Sequence, residues 1–584
     1  LADGQHIVRY ALDIEGHLRE GVVAEKAKAR QAFENTIRRR IDPGLVEQTK
    51  GNNFRTRIYP LPANGSRHIL IAVEQTLTQE SGSQLYQLPL YTTAPINDFS
   101  LKTTVYRSNV SPEMENNTLQ NFSFKKWKEA WVADFEQKNY TANHTISFTV
   151  PRTDNNETIY LAEQYKGETY FYLNQYREAG WQESKGRNSI GVFWDVSGSG
   201  EKRNKTMEKE LLKNYLASIG EVKVSLVPFH VFTGQKQDFE IRNGNCSDLL
   251  EAIDKLVYDG ATQFGALDLN NYNFDEALLF SDGLASFGKK EIRFSAIPVV
   301  AINSSSSADY SFLKYAAQQS NGKFIDLNNT TVTDALKNLQ QEALQVVKVD
   351  YDQSAIEELV FPVPAVVNRG LSFAGKLKVP VTTVKVSLGY GNKITEVKSF
   401  TIRQTDTSEY DQVKRIWATL RISELEMQFD KNKEEVTRLG KEFSVVTQNT
   451  SLIVLDRVED YVEQEILPPV ELQQEYYALL REKKQQELKD KDYALQSALE
   501  AMQELKDWWS KDFKPIAKKN QSADTATDQV FSMVGSVGSI SNGVIATDST
   551  RVSTQNFTAP VIVADEKETA PPPAQEQLTA SNFS

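Results

Sequence analysis

Between residues 186 and 342 short apolar runs alternate with amphipathic ones, and this rhythm constrains the chain more than any other feature. "SIGVFWD", "VKVSLVPFHVF", "EALLFSD", "SAIPVVAI" and "GKFIDL" are apolar and strand-length, whereas "TMEKELLKNYLASI", "CSDLLEAIDKLVY", "ADYSFLKYAAQQ" and "VTDALKNLQQEAL" have helical spacing. Strands that are apolar on both faces need helices on both sides. The pattern therefore predicts a doubly wound parallel sheet. Ligands of such sheets sit beyond the carboxyl ends of the strands, near the point where strand order reverses.

The flanks read differently. Residues 1–78 alternate strand, helix and strand: "HIVRYALDIEGHL" alternates, and "VVAEKAKARQAFENTIRRRI" is helical through Val23, Ala27, Ala32, Phe33 and Ile37 until "DPG" breaks it. "NNFRTRIYPLPANGSRHILIAVEQTL" predicts two strands joined by an Asn-Gly turn. Residues 79–185 predict the first part of an antiparallel sandwich and 343–465 its second part, with "YDQVKRIWATLRISELEMQF" as an intervening helix. Residues 466–513 predict a long charged helix without sustained heptads, and 514–584, with "APPPA", a flexible linker or disordered tail.

Composition removes several function classes. With 584 residues there is length for more than one core, and a net charge of −12 offers no basic face to neutralise nucleic-acid phosphates. No run of 18 apolar residues predicts a membrane span, and Cys246, the single cysteine, cannot pair within the chain. The five histidines never fall as H-x-x-x-H, so no zinc pair is visible. The chain opens on Leu1 in what reads as mid-strand, giving the expectation of an N-terminally truncated piece. A membrane anchor is then expected, if anywhere, outside the residues shown.

The chemistry concentrates in "GVFWDVSGSGEKRN", residues 191–204. Asp195 ends the first strand of the alternating region, and Ser197 and Ser199 follow at alternate positions. Side chains leaving a strand at that spacing point the same way, and Gly198 and Gly200 are expected to permit the bend. Two further strand ends offer Thr262, in "YDGATQFGALDL", and Asp282, in "ALLFSDG". Two carboxylates and three hydroxyls make a hard, all-oxygen site suited to Mg²⁺ or Mn²⁺. An ion held by so few charges keeps an exchangeable position, to which a partner's carboxylate can bind.

Rival readings of the same residues are weaker. A nucleophile elbow requires G-x-S-x-G, but Asp195 stands where the first glycine should be. "GLASFGKK" mimics a phosphate loop, yet Lys290 occupies the Ser/Thr position and "EIRF" follows in place of a helix, so no nucleotide is expected. The plainest alternative is that Asp195 and its serines cap the next helix.

Residues 186–342 resemble a von Willebrand factor type A domain with a metal-ion-dependent adhesion site. Its pattern of D-x-S-x-S, a distant Thr and a distant Asp falls on Asp195, Ser197, Ser199, Thr262 and Asp282. "VAEKAKARQAFENTIRRRIDPGLVEQTKGNNFRTRIYPLPANG" resembles the second half of a VIT domain, the module of vault proteins and inter-alpha-trypsin inhibitors. "RIWATLRISELE" and "VVTQNTSLIVLDRVEDY" are similar to the region after the A domain of inter-alpha-trypsin inhibitor heavy chains. The resemblance implies a multidomain α/β plus β fold: a Rossmann-like A domain inserted in an antiparallel β-sandwich, a partial VIT domain before it and the long helix after it. It also implies a non-enzymatic binding or adhesion protein of the cell envelope or exterior, taking a protein ligand through an acidic group. The alternatives are a scaffolding module whose metal only steadies loops, and a metal-assisted hydrolase. The heavy chains' C-terminal Asp-Pro-His-type signal has no match in residues 466–584, so cross-linking to glycosaminoglycan is not implied. The Asn- and Tyr-rich, cysteine-poor composition reads as bacterial, of a Bacteroidota-like lineage.

Overall fold

The computed structural model of the protein describes residues 1–512 except 2–3, 40–41, 50, 81–82, 107, 115–118, 120–121, 152–157, 178–179, 185, 363–365, 368–369, 392 and 405–411. The expected tail at 514–584 lies outside the described residues. Among the described residues several sheets and the helices packed on them make a mixed α/β and β molecule.

At its centre is a six-stranded sheet built from β1 (Ser189–Asp195), β2 (Val222–Phe229), β3 (Gln237–Ile241), β4 (Glu276–Phe280), β5 (Val299–Asn303) and β6 (Lys323–Asp326), in the order 3-2-1-4-5-6. This is a doubly wound order whose direction reverses between β1 and β4. β1 pairs in parallel with both β2 and β4, and β4, β5 and β6 continue in parallel. The expectation of a wholly parallel sheet needs one correction. β3 runs antiparallel to β2 as an edge strand. Its sequence "QDFEI" is too polar to signal a strand by itself, and a polar, charged edge of this kind resists pairing with other chains.

The pleat of β1 explains the sheet's two cores. Ile190, Val192 and Trp194 point to one face, where α1 (Lys205–Ile219), α2 (Ser247–Asp254) and α4 (Val332–Gln340) contribute Leu211, Leu212, Leu249 and Leu339. Phe193 points to the other, joining Val227, Phe229, Phe264 and Leu279 under α3 (Tyr310–Gln319). Each β1 residue from Ile190 to Asp195 is buried, so the strand's end is fixed by both cores at once. No helix spans the connection between β4 and β5, residues 281–298, leaving that loop at the end of the sheet.

Outside this sheet, Thr158–Tyr165, Glu168–Tyr176, Gly370–Leu377 and Ile356–Val360 form a four-stranded antiparallel sheet. It packs through Phe171, Leu173 and Phe373 on a three-stranded sheet that brings Val384, Val386 and Ile402. Strand Glu168–Tyr176 thus pairs with Gly370–Leu377, although the whole six-stranded sheet lies between them in sequence. α5 (Val413–Glu426) and α6 (Phe429–Glu442) cover the other side of the four-stranded sheet, with Trp417 edge-on to Tyr170.

Three local expectations are overturned in the N-terminal region. The helix begins at Lys26, not Val23, because Val22–Glu25 is a strand whose Val22 and Val23 pair with Ile453 and Leu452. β-branched residues beside an apolar partner strand override helical spacing. The strands on either side of the Asn64–Gly65 turn do not pair with each other: Phe54–Ile58 pairs with Gly44–Gln48, and Ile69–Gln75 with Gln5–Ile14. The linker between them carries Pro60 and Pro62, which have no N–H to give a ladder. Finally, Thr450–Val454, expected with the second sandwich segment, lies between Val22–Glu25 and Gly44–Gln48. All five of its residues are buried: Ile453 packs with Phe33 and Tyr461 on one face, and Leu452 and Val454 with Tyr10 and Leu12 on the other.

A long helix runs Gln473–Trp509 within the segment 466–513, and its first turns lay Tyr476, Leu479 and Leu480 on the core around Phe33 and Tyr461. No helix among the described residues is long and apolar enough to cross a membrane.

Candidate functional site

β1 and β4 are neighbours, so Asp195 at the end of one and Asp282 two residues past the other emerge side by side at the point where strand order reverses. Both are buried: Asp195 at 0% exposure and Asp282 at 1%. Strand alternation does not carry the serines, as the chain leaves the sheet at Asp195. Instead the Asp195 carboxylate accepts the Ser197 N–H at 2.9 Å, an Asx turn that folds the loop back. That places the Ser197 and Ser199 hydroxyls 3.2 Å apart. Gly198 has no need of its freedom, since an added Cβ would lie 3.5 Å from the Gly260 carbonyl, an ordinary contact. Gly200 does need it, for a Cβ there would meet the Asp195 carbonyl oxygen at 2.8 Å.

Thr262 arrives on a loop stitched to the other two. The Asp259 N–H donates to the Val196 carbonyl (2.9 Å) and the Gly198 N–H to the Gly260 carbonyl (3.0 Å). On the far side the Thr262 N–H donates to the Ser286 hydroxyl (3.0 Å), and the Thr262 carbonyl accepts from Ser286 N–H (3.1 Å) and Phe287 N–H (3.2 Å). The backbone of Thr262 is therefore satisfied. Its hydroxyl is not: Thr262 Oγ1 is buried with no hydrogen-bond partner.

The electrostatics point the same way. Burial, and then the charge of Asp195, push the Asp282 carboxyl up to about 6, against the opposing hydrogen bonds from Leu284 N–H and Ser199. Two carboxyl groups confined together out of water repel one another unless a cation comes between them. An unpartnered buried hydroxyl on the third loop adds a neutral oxygen donor. The donor set suits a hard divalent ion such as Mg²⁺ or Mn²⁺, and the orphaned Thr262 hydroxyl is the observation that favours the fit. Among the described residues no group of three or more His, Cys, Asp or Glu could hold a metal, so any such ion depends on hydroxyls.

Helix capping does not account for the cluster. α1 is capped by Asn204, whose side chain accepts the Met207 N–H at 3.2 Å, and Ser199 precedes only a short 3₁₀ turn without a side-chain cap.

Several residues that matter here gave no sequence signal. Ser281 donates to the second Asp195 carboxylate oxygen at 2.6 Å and fixes its rotation. Its place beside Asp282 in "FSDG" is the one hint the sequence held. Arg203, 3% exposed, donates to the Asp195 carbonyl at 2.7 Å and to Glu208 at 3.3 Å, with its guanidinium over the Trp194 ring. Glu208 is held in turn by the Ser304 hydroxyl at 2.7 Å, and burial raises its carboxyl above the ordinary range. Arg203 thus serves the main chain of the loop and leaves the Asp195 carboxylate to its own partners. His230 follows β2, and its Nδ1 is buried and unpartnered. Among the described residues no hydrogen bond joins the His230 ring to a serine.

The family comparison reaches one end of the chain. Residues 1–73 match the family described as the vault protein inter-alpha-trypsin domain. No curated protein matches the chain. Among solved structures, the ArnB paralog VWA2 from Sulfolobus acidocaldarius aligns at 13% identity over 56% of this chain and 93% of that one, with a TM-score of 0.27. An aerotolerance-related membrane protein from Bacteroides fragilis (14% identity, 26% of this chain, 98% of that one) and BatB from Bacteroides thetaiotaomicron (12%, 26% and 95%) both have a TM-score of 0.21. Scores this low decide nothing about the fold, which rests on the strand order and pairings above.

Proposed function

We propose that the protein is a non-enzymatic, metal-dependent protein-binding or adhesion protein of the cell envelope or exterior. In this reading a VIT domain and a β-sandwich support an inserted A domain at residues 186–342, and Asp195, Ser197, Ser199, Thr262 and Asp282 hold Mg²⁺. The observation that carries it is the unpartnered, buried Thr262 hydroxyl on a loop bonded to both carboxylate-bearing loops. When bound, the ion supplies an electrophilic position for a partner's carboxylate. The chain's own residues set that position: Ser197 N–H and Ser281 fix the Asp195 carboxylate, Leu284 N–H fixes Asp282, and Arg203 locks the turn from below.

Titration calorimetry of the chain with Mg²⁺ and Mn²⁺ tests the reading. The expected result is a single divalent site in the parent, lost in Asp195→Ala and Asp282→Ala, with partner capture abolished by EDTA. A parent that binds neither ion at millimolar concentration ends it. Capture that persists in EDTA, with the ion bound in its absence, would favour the scaffolding alternative.

A further inference from the structure

Beside the metal loops lies a cavity of about 540 Å³, walled by three regions distant in sequence. Ser199, Gly260 and Ser286 line it from the site. Gln48, Thr49, Gly51 and Asn52 of the N-terminal VIT domain line a second side, which meets the loop before α3 through the Asn52 N–H to the Ala308 carbonyl at 3.1 Å. Gly51, at φ +60°, makes that approach possible, as a Cβ would stand 2.5 Å from the same carbonyl oxygen. The third wall is the end of α5, where Glu426 faces Gln448.

Glu426 is out of balance. It is the last residue of α5, at the helix end whose free carbonyls disfavour an anion. Among the described residues its one hydrogen bond is from Gln448 N–H, at 3.3 Å. Burial pushes its carboxyl up to about 7, and the charge of Asp309 adds to this, while Lys290 opposes it. Lys290 does not serve as its counter-ion, being bonded to Asp309 at 2.7 Å. The other charged or titratable side chains lining the cavity are Lys314, His6 and Tyr310. A volume of this size, within the roughly 300–1,000 Å³ of small-ligand sites, admits two or three residues of an extended peptide.

We propose that this cavity selects the partner's sequence next to its metal-binding acid: the site takes an extended segment carrying a carboxylate and, within a few residues, a Lys or Arg whose cation pairs with Glu426. The inference rests on the metal reading above and adds the partner's chemistry to it. The carboxylate enters beside Ser199 and the cation crosses the cavity to α5. Its arrival leaves Glu426 ionised with a counter-ion it otherwise lacks.

Fluorescence anisotropy on the full chain at pH 8 with Mg²⁺ tests it. The probes are labelled peptides in which Asp and Lys are adjacent or separated by one or two glycines, and counterparts with norleucine in place of Lys. At least one lysine peptide should bind about tenfold more tightly than its counterpart, the ratio expected of a charge-assisted contact. Glu426→Gln should erase the preference while its Mg²⁺ titration stays that of the parent, which also establishes that it folds. Equal affinities in the parent, no peptide binding by a chain that takes up Mg²⁺, or a preference that survives Glu426→Gln would each overturn the proposal and leave the metal reading standing. Failure of the parent to take up Mg²⁺ would overturn both.

Discussion

Thr262→Val separates a ligand from a structural residue, because the two roles predict opposite signs. Valine nearly matches threonine in shape and removes only the hydroxyl, which is buried without a hydrogen-bond partner. An orphaned buried hydroxyl costs about 1–3 kcal/mol, so the variant should be about 1–2 kcal/mol more stable than the parent in EDTA. With Mg²⁺ that advantage is largely offset. An ion at 100 times its dissociation constant stabilises the parent by about 2.7 kcal/mol. Loss of one donor that weakens binding about tenfold cuts that increment to about 1.4 kcal/mol. A chain with several cores need not melt in one step, so the assay is amide-exchange protection of β1 and β4, where 1 kcal/mol is about fivefold in rate. Protection should rise in EDTA on substitution, and the further rise on adding Mg²⁺ should shrink. A variant that loses protection in EDTA and keeps the full Mg²⁺ increment would show that the hydroxyl is used by the fold and not by an ion.

Asp195→Asn keeps an acceptor for Ser197 N–H and should fold, but it removes the charge that helps hold Asp282 up near 6. The Asp282 carboxyl, followed by carbon NMR in EDTA, should titrate lower than in the parent while staying raised by burial. An unchanged titration would mean that the two carboxyls are not neighbours. Arg203→Met leaves the fully buried Glu208 without its cation and should destabilise the α/β unit by about 3–5 kcal/mol, whereas adding Glu208→Gln should restore most of the loss. Chemical denaturation of the single and double variants reads this, and equal losses in both would place the damage in the Asp195 turn instead. For Glu426 the folded carboxyl is raised from 4.5 to about 7, so its protonated form stabilises the chain at low pH and that contribution is lost as pH rises through 7. Glu426→Gln should therefore match the parent near pH 5 and exceed it at pH 8, by up to about 3 kcal/mol. A variant less stable than the parent at pH 8 would refute the sign.

Much of the central unit was legible in order along the chain. Runs such as "SIGVFWD" and "EALLFSD" have an apolar character that a sheet covered on both faces satisfies, and this alone puts Asp195 and Asp282 at the ends of strands. Spacing was a poorer guide to how the serines are held. The sequence suggested strand alternation, but the turn is made by the Asp195 carboxylate on Ser197 N–H and by Ser281 on the other oxygen.

What the sequence determined by itself was local: which runs are strands, which are helices, and which oxygen-bearing residues end them. These follow from periodicity within a few residues of one another. Which strands pair, and which groups are left without a partner, only the tertiary structure decided. Thr450–Val454 joins strands more than 400 residues earlier because a doubly buried run must find cover wherever the chain provides it. The orphaned Thr262 hydroxyl and the unbalanced Glu426 likewise exist only in three dimensions. Burial and hydrogen-bond satisfaction are set by neighbours that come from elsewhere in the chain, and no local pattern encodes them.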